Sequence, residues 1–278
     1  MKTLIKESVA NLLKGFTDNN LCKFKDLHKD EECYIFGNGP SIKWMDLSNF
    51  KDKISICTGQ MHYHKDFDEL DSRYFLLMEP WIFTNTITRK IFASSAQSNI
   101  VDNHKLIVKD YLSFVNRDSN KNKEFFVSLS NYFHLRNKNI NFVHKNLPVK
   151  SSKEEELPLE ESFSGSFSAA LSFAYYLGFK VIYLIGFDAM TLYPSVNERY
   201  YEIKKEDHIN NKPIKDEFLY FLEKKQDISV ICHNSSSDIL KTKEYEDFFK
   251  TKAVYKENHE IISQIHLDLL HSSGYKVF

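Results

Sequence analysis

The sequence predicts an α/β protein: a doubly wound, mostly parallel sheet with a small lid subdomain. Three observations lead there. Short apolar β-like runs alternate with helix-like runs along the chain. The strongest run, KVIYLIGFD at 180–188, is almost continuously apolar, as expected of a strand buried on both faces. The β-like runs also end in GNGPS, CTGQ, MEP, IGFD and CHNSSS. Five of the eight glycines (Gly37, Gly39, Gly59, Gly165, Gly186) fall at those ends or at a helix start. In doubly wound sheets, ligands sit outside the carboxyl ends of the strands.

Taken in order, MKTLIKESVANLLKGF opens the chain. Lys6, Glu7, Asn11 and Lys14 break any signal-type apolar stretch, while Leu4, Ile5, Val9, Leu12 and Leu13 keep helical spacing. Residues 1–30 therefore read as a helical extension. CYIF at 33–36 is the first strand, KISICTG at 53–59 the second, and RYFLLMEP at 73–80 the third, stopped by Pro80. KLIVKDY at 105–111 reads as a weaker strand and INFVHK at 140–145 as a stronger one. SGSFSAALSFAYYLGF at 164–179 reads as a buried helix with Gly178 near its C-cap. After the 180–188 strand come a helix at 216–226, a strand ISVICHNSS at 228–236, and two helical stretches, EYEDFFK and ENHEIISQIHLDLLHSSGY.

Composition sets limits. A chain of 278 residues that is 42% hydrophobic can bury a substantial core. Thirty-seven Lys and Arg nearly balance 38 Asp and Glu, so no whole-molecule field steers it onto nucleic acid. No apolar stretch approaches the roughly 18 residues of a membrane span. The four cysteines (Cys22, Cys33, Cys57, Cys232) lie far apart without a CxxC pair and read as reduced cytosolic thiols. His62 and His64 form an HxH pair with no third ligand at a diagnostic spacing, so no metal is expected there.

Three loops could carry chemistry. GNGPS follows a strand and reads as opening a helix with Ser41 as N-cap. Exposed N–H groups and the helix dipole there would suit a phosphate. The loop lacks the third glycine of a dinucleotide fingerprint and the GK[ST] of a Walker loop, and a tight βα turn would need the same residues. In ESFSGSFSAA, Ser162, Ser164, Gly165 and Ser166 precede the buried helix, serving either an anion or ordinary N-capping. Residues 187–213 form a long polar loop with Tyr193, Tyr200, Tyr201 and His208. Loops of that length are often lids or binding loops, and a histidine in one suits a general base as well as a surface position.

The order of these pieces resembles the bacterial sialyltransferases of glycosyltransferase family 42 and the related motility-associated factor family. The resemblance runs from Cys33 to Ser237 and rests on IFGNGPSIK, CTGQMHYH, LMEPWIF, SGSFSAALSFAYYLGFKVIYLIGFD, and EDHINNKPIKDEFLYFLEKK leading to ISVICHNSSSD. It implies a Rossmann-like, GT-A-like domain at 31–186 and 214–278 with a lid over 187–213. It also implies an inverting, metal-independent transfer of a sialic-acid-type sugar from a CMP-sugar to an oligosaccharide acceptor, with no other cofactor. It further implies nucleotide contacts from Gly37, Asn38, Gly39, Ser41, Gly59, Gln60, Ser164, Gly165, Ser166, Phe187 and Asp188. A tyrosine among Tyr193, Tyr200 and Tyr201 would hold the departing phosphate, and His208 would be the general base. Family habits imply a cytoplasmic homo-oligomer building lipooligosaccharide, capsule or another bacterial surface glycan. The basic-aromatic stretch from Lys250 to Phe278 would permit peripheral contact with the inner membrane face.

The chain departs from the family pattern in several places. The second strand ends Cys57-Thr58-Gly59-Gln60 rather than Cys-Asn-Gln, Glu79-Pro80 stands for Asn-Pro, and Glu161-Ser162-Phe163 replaces an arginine-containing segment. Two alternatives follow. One is a Mg²⁺-dependent phosphotransferase of the diphosphokinase type using Glu79 and Asp188; the other is a non-catalytic nucleotide- or glycan-binding module.

Overall fold

The computed structural model describes residues 20–78, 83, 104–135, 138–143, 166–191, 200, 221–223 and 226–272. Eight strands form one sheet: β1 (Glu32–Phe36), β2 (Ser55–Thr58), β3 (Tyr74–Leu77), β4 (Glu124–Ser128), β5 (Ile140–Val143), β6 (Val181–Ile185), β7 (Asp227–Cys232) and β8 (Lys241–Glu244). Their order is β5-β4-β3-β2-β1-β6-β7-β8, and every neighbouring pair is parallel. The chain starts in the middle, steps outward to β5, then returns to place β6 beside β1. That return makes the β1/β6 junction the topological switch point, the place where doubly wound sheets accept ligands in a crevice beyond the carboxyl ends.

Alternation along each strand sorts the core into two layers. In β1, Tyr34 and Phe36 join one cluster while Cys33 and Ile35 join the other. β3 repeats this with Phe75 and Leu77 against Tyr74 and Leu76, and β6 with Tyr183 and Ile185 against Ile182 and Leu184. Helix α1 (His104–Val115) contributes Ile107, Tyr111, Phe114 and Val115 to the first layer. Helix α2 (Ser166–Tyr176) covers the second, with Phe173 lying 4.0 Å from Phe126 and 5.4 Å from Tyr74 between ring centroids. Both faces of the sheet are therefore buried, which explains why its strands read as apolar runs rather than alternating ones. The architecture is a doubly wound, Rossmann-like α/β fold.

The C-terminal end of α2 is capped from a distance. Asp26, His28 and Asp30 donate their backbone N–H groups to the carbonyls of Tyr176, Leu177 and Gly178, at 3.0, 2.8 and 3.2 Å. This satisfies carbonyls that the last turn leaves unpaired. Shorter α-helices include α3 (Asp188–Thr191), α4 (Tyr245–Phe249), α5 (Asn258–Ile261) and α6 (Gln264–Ser272), and several 3₁₀ helices lie in the loops.

Three expectations are corrected. KLIVKDY is not a strand: residues 105–111 lie within α1, whose buried positions recur at helical spacing. The GNGPS loop leads not into an α-helix but into a 3₁₀ helix, Pro40–Trp44. Its N-cap is Gly39 rather than Ser41, with no capping side chain. The N-terminal extension and the lid fall largely outside the described residues, which begin at residue 20 and include only 187–191 and 200 of the 187–213 segment. Among the described residues, no helix is long and apolar enough to cross a membrane.

Candidate functional site

The loops after β1, β2 and β6 meet at the switch point. Gly37 donates its N–H to the carbonyl of Ile185 (2.8 Å), and Gly39 donates to that of Gly186 (2.6 Å). The Ser41 N–H donates to Asp188 Oδ2 at 3.2 Å. Three N–H groups of the glycine loop are thus engaged by the β6 loop. The loops approach so closely that a Cβ on Gly39 would come to 1.9 Å from Asp188 Oδ2 and 2.8 Å from the Gly186 carbonyl. Glycine is required there because only its backbone fits against the neighbouring loop. Asp188 is buried, and desolvation pushes its carboxyl above the usual carboxylate range, opposed by the hydrogen bond from the Ser41 N–H.

Asn38 reaches the other way. Its Oδ1 accepts the Gln60 N–H at 3.1 Å while its Nδ2 donates to Gln60 Oε1 at 3.0 Å. Gly59 beside it has φ +60°, and a Cβ there would sit 2.1 Å from Asn38 Nδ2. Both the backbone conformation and the approach of Asn38 therefore demand glycine. Thr58 Oγ1 adds a 3.0 Å bond to the Phe36 carbonyl, tying the β1 and β2 ends together.

Tyr200 is docked on this pair. Its N–H donates to the Asn38 carbonyl and its hydroxyl to the Gln60 carbonyl, each at 2.8 Å, and the residue is fully buried. Of the three candidate tyrosines, Tyr200 is the one within the described residues, and its hydroxyl is spent fixing the two loops. Tyr193, Tyr201, His208, Ser164 and Gly165 lie outside the described residues, as does Glu79. Ser166 begins α2; the next residue, Phe167, packs its ring 4.7 Å from that of Phe187 on the β6 loop. Of the expected nucleotide residues, Gly37, Asn38, Gly39, Ser41, Gly59, Gln60, Phe187 and Asp188 belong to one connected set of loops. Ser166 adjoins it through that ring pair.

The two histidines of the HxH pair have separate surroundings. His62 lies between the rings of Tyr111 (4.7 Å) and Phe114 (4.4 Å), with its Nε2 3.5 Å from Asp110. Burial holds its pKa below the ordinary value against the pull of Asp110. The His64 ring lies 5.8 Å from that of Tyr200, and its Nδ1 accepts the Asp66 N–H at 3.1 Å. That bond fixes the proton of the neutral ring on Nε2. Burial pushes the His64 pKa down to about 4. Sequence reasoning weighed these histidines only as metal ligands, expected no metal there, and missed that His64 packs beside Tyr200; no spacing rule links residues that far apart. Among the described residues, no group of three His, Cys, Asp or Glu is placed to hold a metal ion.

No protein-family model matches the chain, and no curated protein matches it. Solved sialyltransferase structures are similar to it. The sialyltransferase CstII from Campylobacter jejuni, in complex with cytidine-5'-monophosphate, is 19% identical over 88% of this chain and 98% of its own, with a TM-score of 0.37. The complex of CstII with CMP-3FNeuAc is 16% identical over 87% and 99%, with a TM-score of 0.42. A complex with a trisaccharide acceptor and CMP is 15% identical over 87% and 99%, with a TM-score of 0.41.

Proposed function

We propose that this chain is an inverting, metal-independent glycosyltransferase that moves a sialic-acid-type sugar from a CMP-sugar to an oligosaccharide acceptor. The observation that carries the reading is the convergence of the β1, β2 and β6 loops at the switch point. There, Asn38 and Gln60 face one loop junction and Ser41 and Asp188 the other. Such a crevice is where a parallel α/β sheet accepts a nucleotide. Of the motifs that resemble family 42 in sequence, GNGPS, CTGQ and IGFD fall on these same loops.

In the proposed reaction the acceptor hydroxyl oxygen attacks the anomeric carbon of the donor. The bond from that carbon to the CMP phosphate oxygen breaks, and its electron pair leaves with CMP. The hydroxyl proton passes to His208. Attack opposite to CMP inverts the anomeric centre. Because CMP is already a good leaving group, the protein's task is to position the reactants, accept one proton and stabilise the departing phosphate.

The test is turnover of CMP-sialic acid with a panel of oligosaccharides in EDTA, with the product anomer read by NMR. Transfer with inversion is expected. His208→Ala should lower turnover by roughly 10²- to 10⁴-fold while leaving the thermal shift by CMP intact. Stabilisation by ATP only with Mg²⁺, and none by CMP, would overturn the proposal in favour of phosphoryl transfer.

A further inference from the structure

A second cluster stands beside the nucleotide loops, at the carboxyl ends of β7 and β8. We infer that the exposed Tyr255 ring, propped against Trp44 at an interplanar angle of 58°, is a stacking face for a pyranose ring of the glycan. Trp44 ends the 3₁₀ helix Pro40–Trp44, three residues after Ser41, so at roughly 2 Å of rise per residue the platform begins about 6 Å from the Ser41–Asp188 contact. The Trp44 ring lies 4.6 Å from that of His233 and 4.9 Å from that of Tyr255. Lys43 Nζ sits 6.0 Å over the Tyr255 ring. Tyr255 is 41% exposed and the adjoining Val254 is 58% exposed, so apolar surface is presented to solvent at this point.

The platform is held in place. His233 Nδ1 is bonded to Glu244 Oε1 at 3.0 Å, and both Glu244 oxygens accept the Asn234 N–H at 3.1 Å. The Asn234 amide nitrogen lies 2.9 Å from His233 Nε2. Asn234 has φ +50°, a conformation a non-glycine residue keeps only when its surroundings over-determine it. On the other side, Lys256 donates its N–H to the Lys43 carbonyl at 2.8 Å, fixing the residue after Tyr255 to the residue before Trp44. Rigid aromatic surface costs little entropy on binding.

The chemistry favours a sugar over other occupants. A pyranose shows a face of C–H groups that suits an aromatic ring, and its hydroxyls suit a polar rim such as Asn234 and Glu244 provide. Two exposed apolar side chains fall far short of the ~1,000 Å² that a stable protein interface needs. The other exposed large apolar residues, among them Leu27, Leu106, Phe133 and Ile265, lie on other elements. Naming this sugar as part of the acceptor rests on the glycosyl-transfer reading; the platform as a glycan-binding surface does not.

The test is saturation-transfer NMR of an oligosaccharide panel with the full chain, with acceptor KM measured in parallel. Tyr255→Ala should weaken glycan binding and raise acceptor KM about tenfold, a stacking contribution near 1.4 kcal/mol. The CMP thermal shift should not move. Tyr255→Phe, which keeps the ring, should bind as the wild type does. If a folded Tyr255→Ala protein binds the panel like wild type, or no glycan receives saturation from wild type, the inference is overturned. Tyr255-dependent glycan binding without any response to CMP would sustain the platform and overturn only the transfer reading.

Discussion

Asn38 and Gln60 clasp each other through two hydrogen bonds, amide to amide and amide to backbone, across the ends of β1 and β2. Tyr200 closes the clasp by binding the carbonyl of each. Asn38→Ala removes both side-chain bonds and leaves the buried Gln60 amide short of a partner. We expect a loss of about 1–3 kcal/mol in stability, read from urea titrations, because an unsatisfied buried polar group costs that much. Weakened CMP binding should accompany it. A stability unchanged from wild type would mean that the clasp does not hold the loops.

Gly39 and Asp188 should prove energetically coupled. Gly39→Ala places a methyl group on the Asp188 carboxylate and should destabilise by about 1–3 kcal/mol through overpacking. Asp188→Ala should relieve part of that loss in the double variant, giving a coupling of about 0.5–3 kcal/mol. Additive effects in the cycle would deny the close approach.

Acid should destabilise the fold through His64. Its folded pKa, about 4, lies below the 6.5 of the unfolded chain. A histidine kept neutral by burial contributes stability that is fully present above 6.5 and lost as pH falls toward 4. The loss amounts to about 3 kcal/mol at 1.36 kcal/mol per unit. His62, also lowered by burial, adds in the same direction. His64→Asn, whose oxygen can still accept the Asp66 N–H, should flatten the stability curve between pH 6.5 and 4 relative to wild type. An unchanged slope would remove His64 from the explanation.

Thiol reactivity should separate one cysteine from three. Cys22 is exposed, whereas Cys33, Cys57 and Cys232 are buried in strands, where desolvation pushes Cys57 up to about 12 and Cys232 up to about 11. The thiolate is the reactive form. A disulfide reagent should therefore label one equivalent quickly in the native protein and the remaining three only on unfolding. Fast labelling of more than one would show that the strands open.

Much of the fold was legible because strands buried on both faces leave continuous apolar runs; β1 was read within one residue at each end, whereas the readings of β6 and β7 started within one residue of the strand and ran three and four residues past its end. What was missed has physical causes. β8, KTKE, is an edge strand without an apolar residue, so periodicity had nothing to detect. β4, EFFVS, opens on Glu124 and follows the polar, charged run 117–123, which masks its apolar centre. Leu106, Ile107 and Val108 look like a strand in isolation. The helical period of α1 shows only when Ile107, Tyr111, Phe114 and Val115 are taken together. At the candidate site the glycines were read as serving either a tight turn or the close approach of a ligand. The structure fills the space at Gly39 with Asp188 and that at Gly59 with Asn38, contacts between residues too distant in the chain for any local signal. The Trp44, His233 and Tyr255 cluster was invisible for the same reason.

The central claim is that CMP lodges where the β1, β2 and β6 loops meet. Hydrogen-exchange mass spectrometry of the full chain with and without saturating CMP tests it directly. Slowed exchange in peptides covering 37–42, 59–64 and 186–191 is the expected result. Saturation with CMP that leaves all three unchanged, or protects only peptides elsewhere, would contradict it.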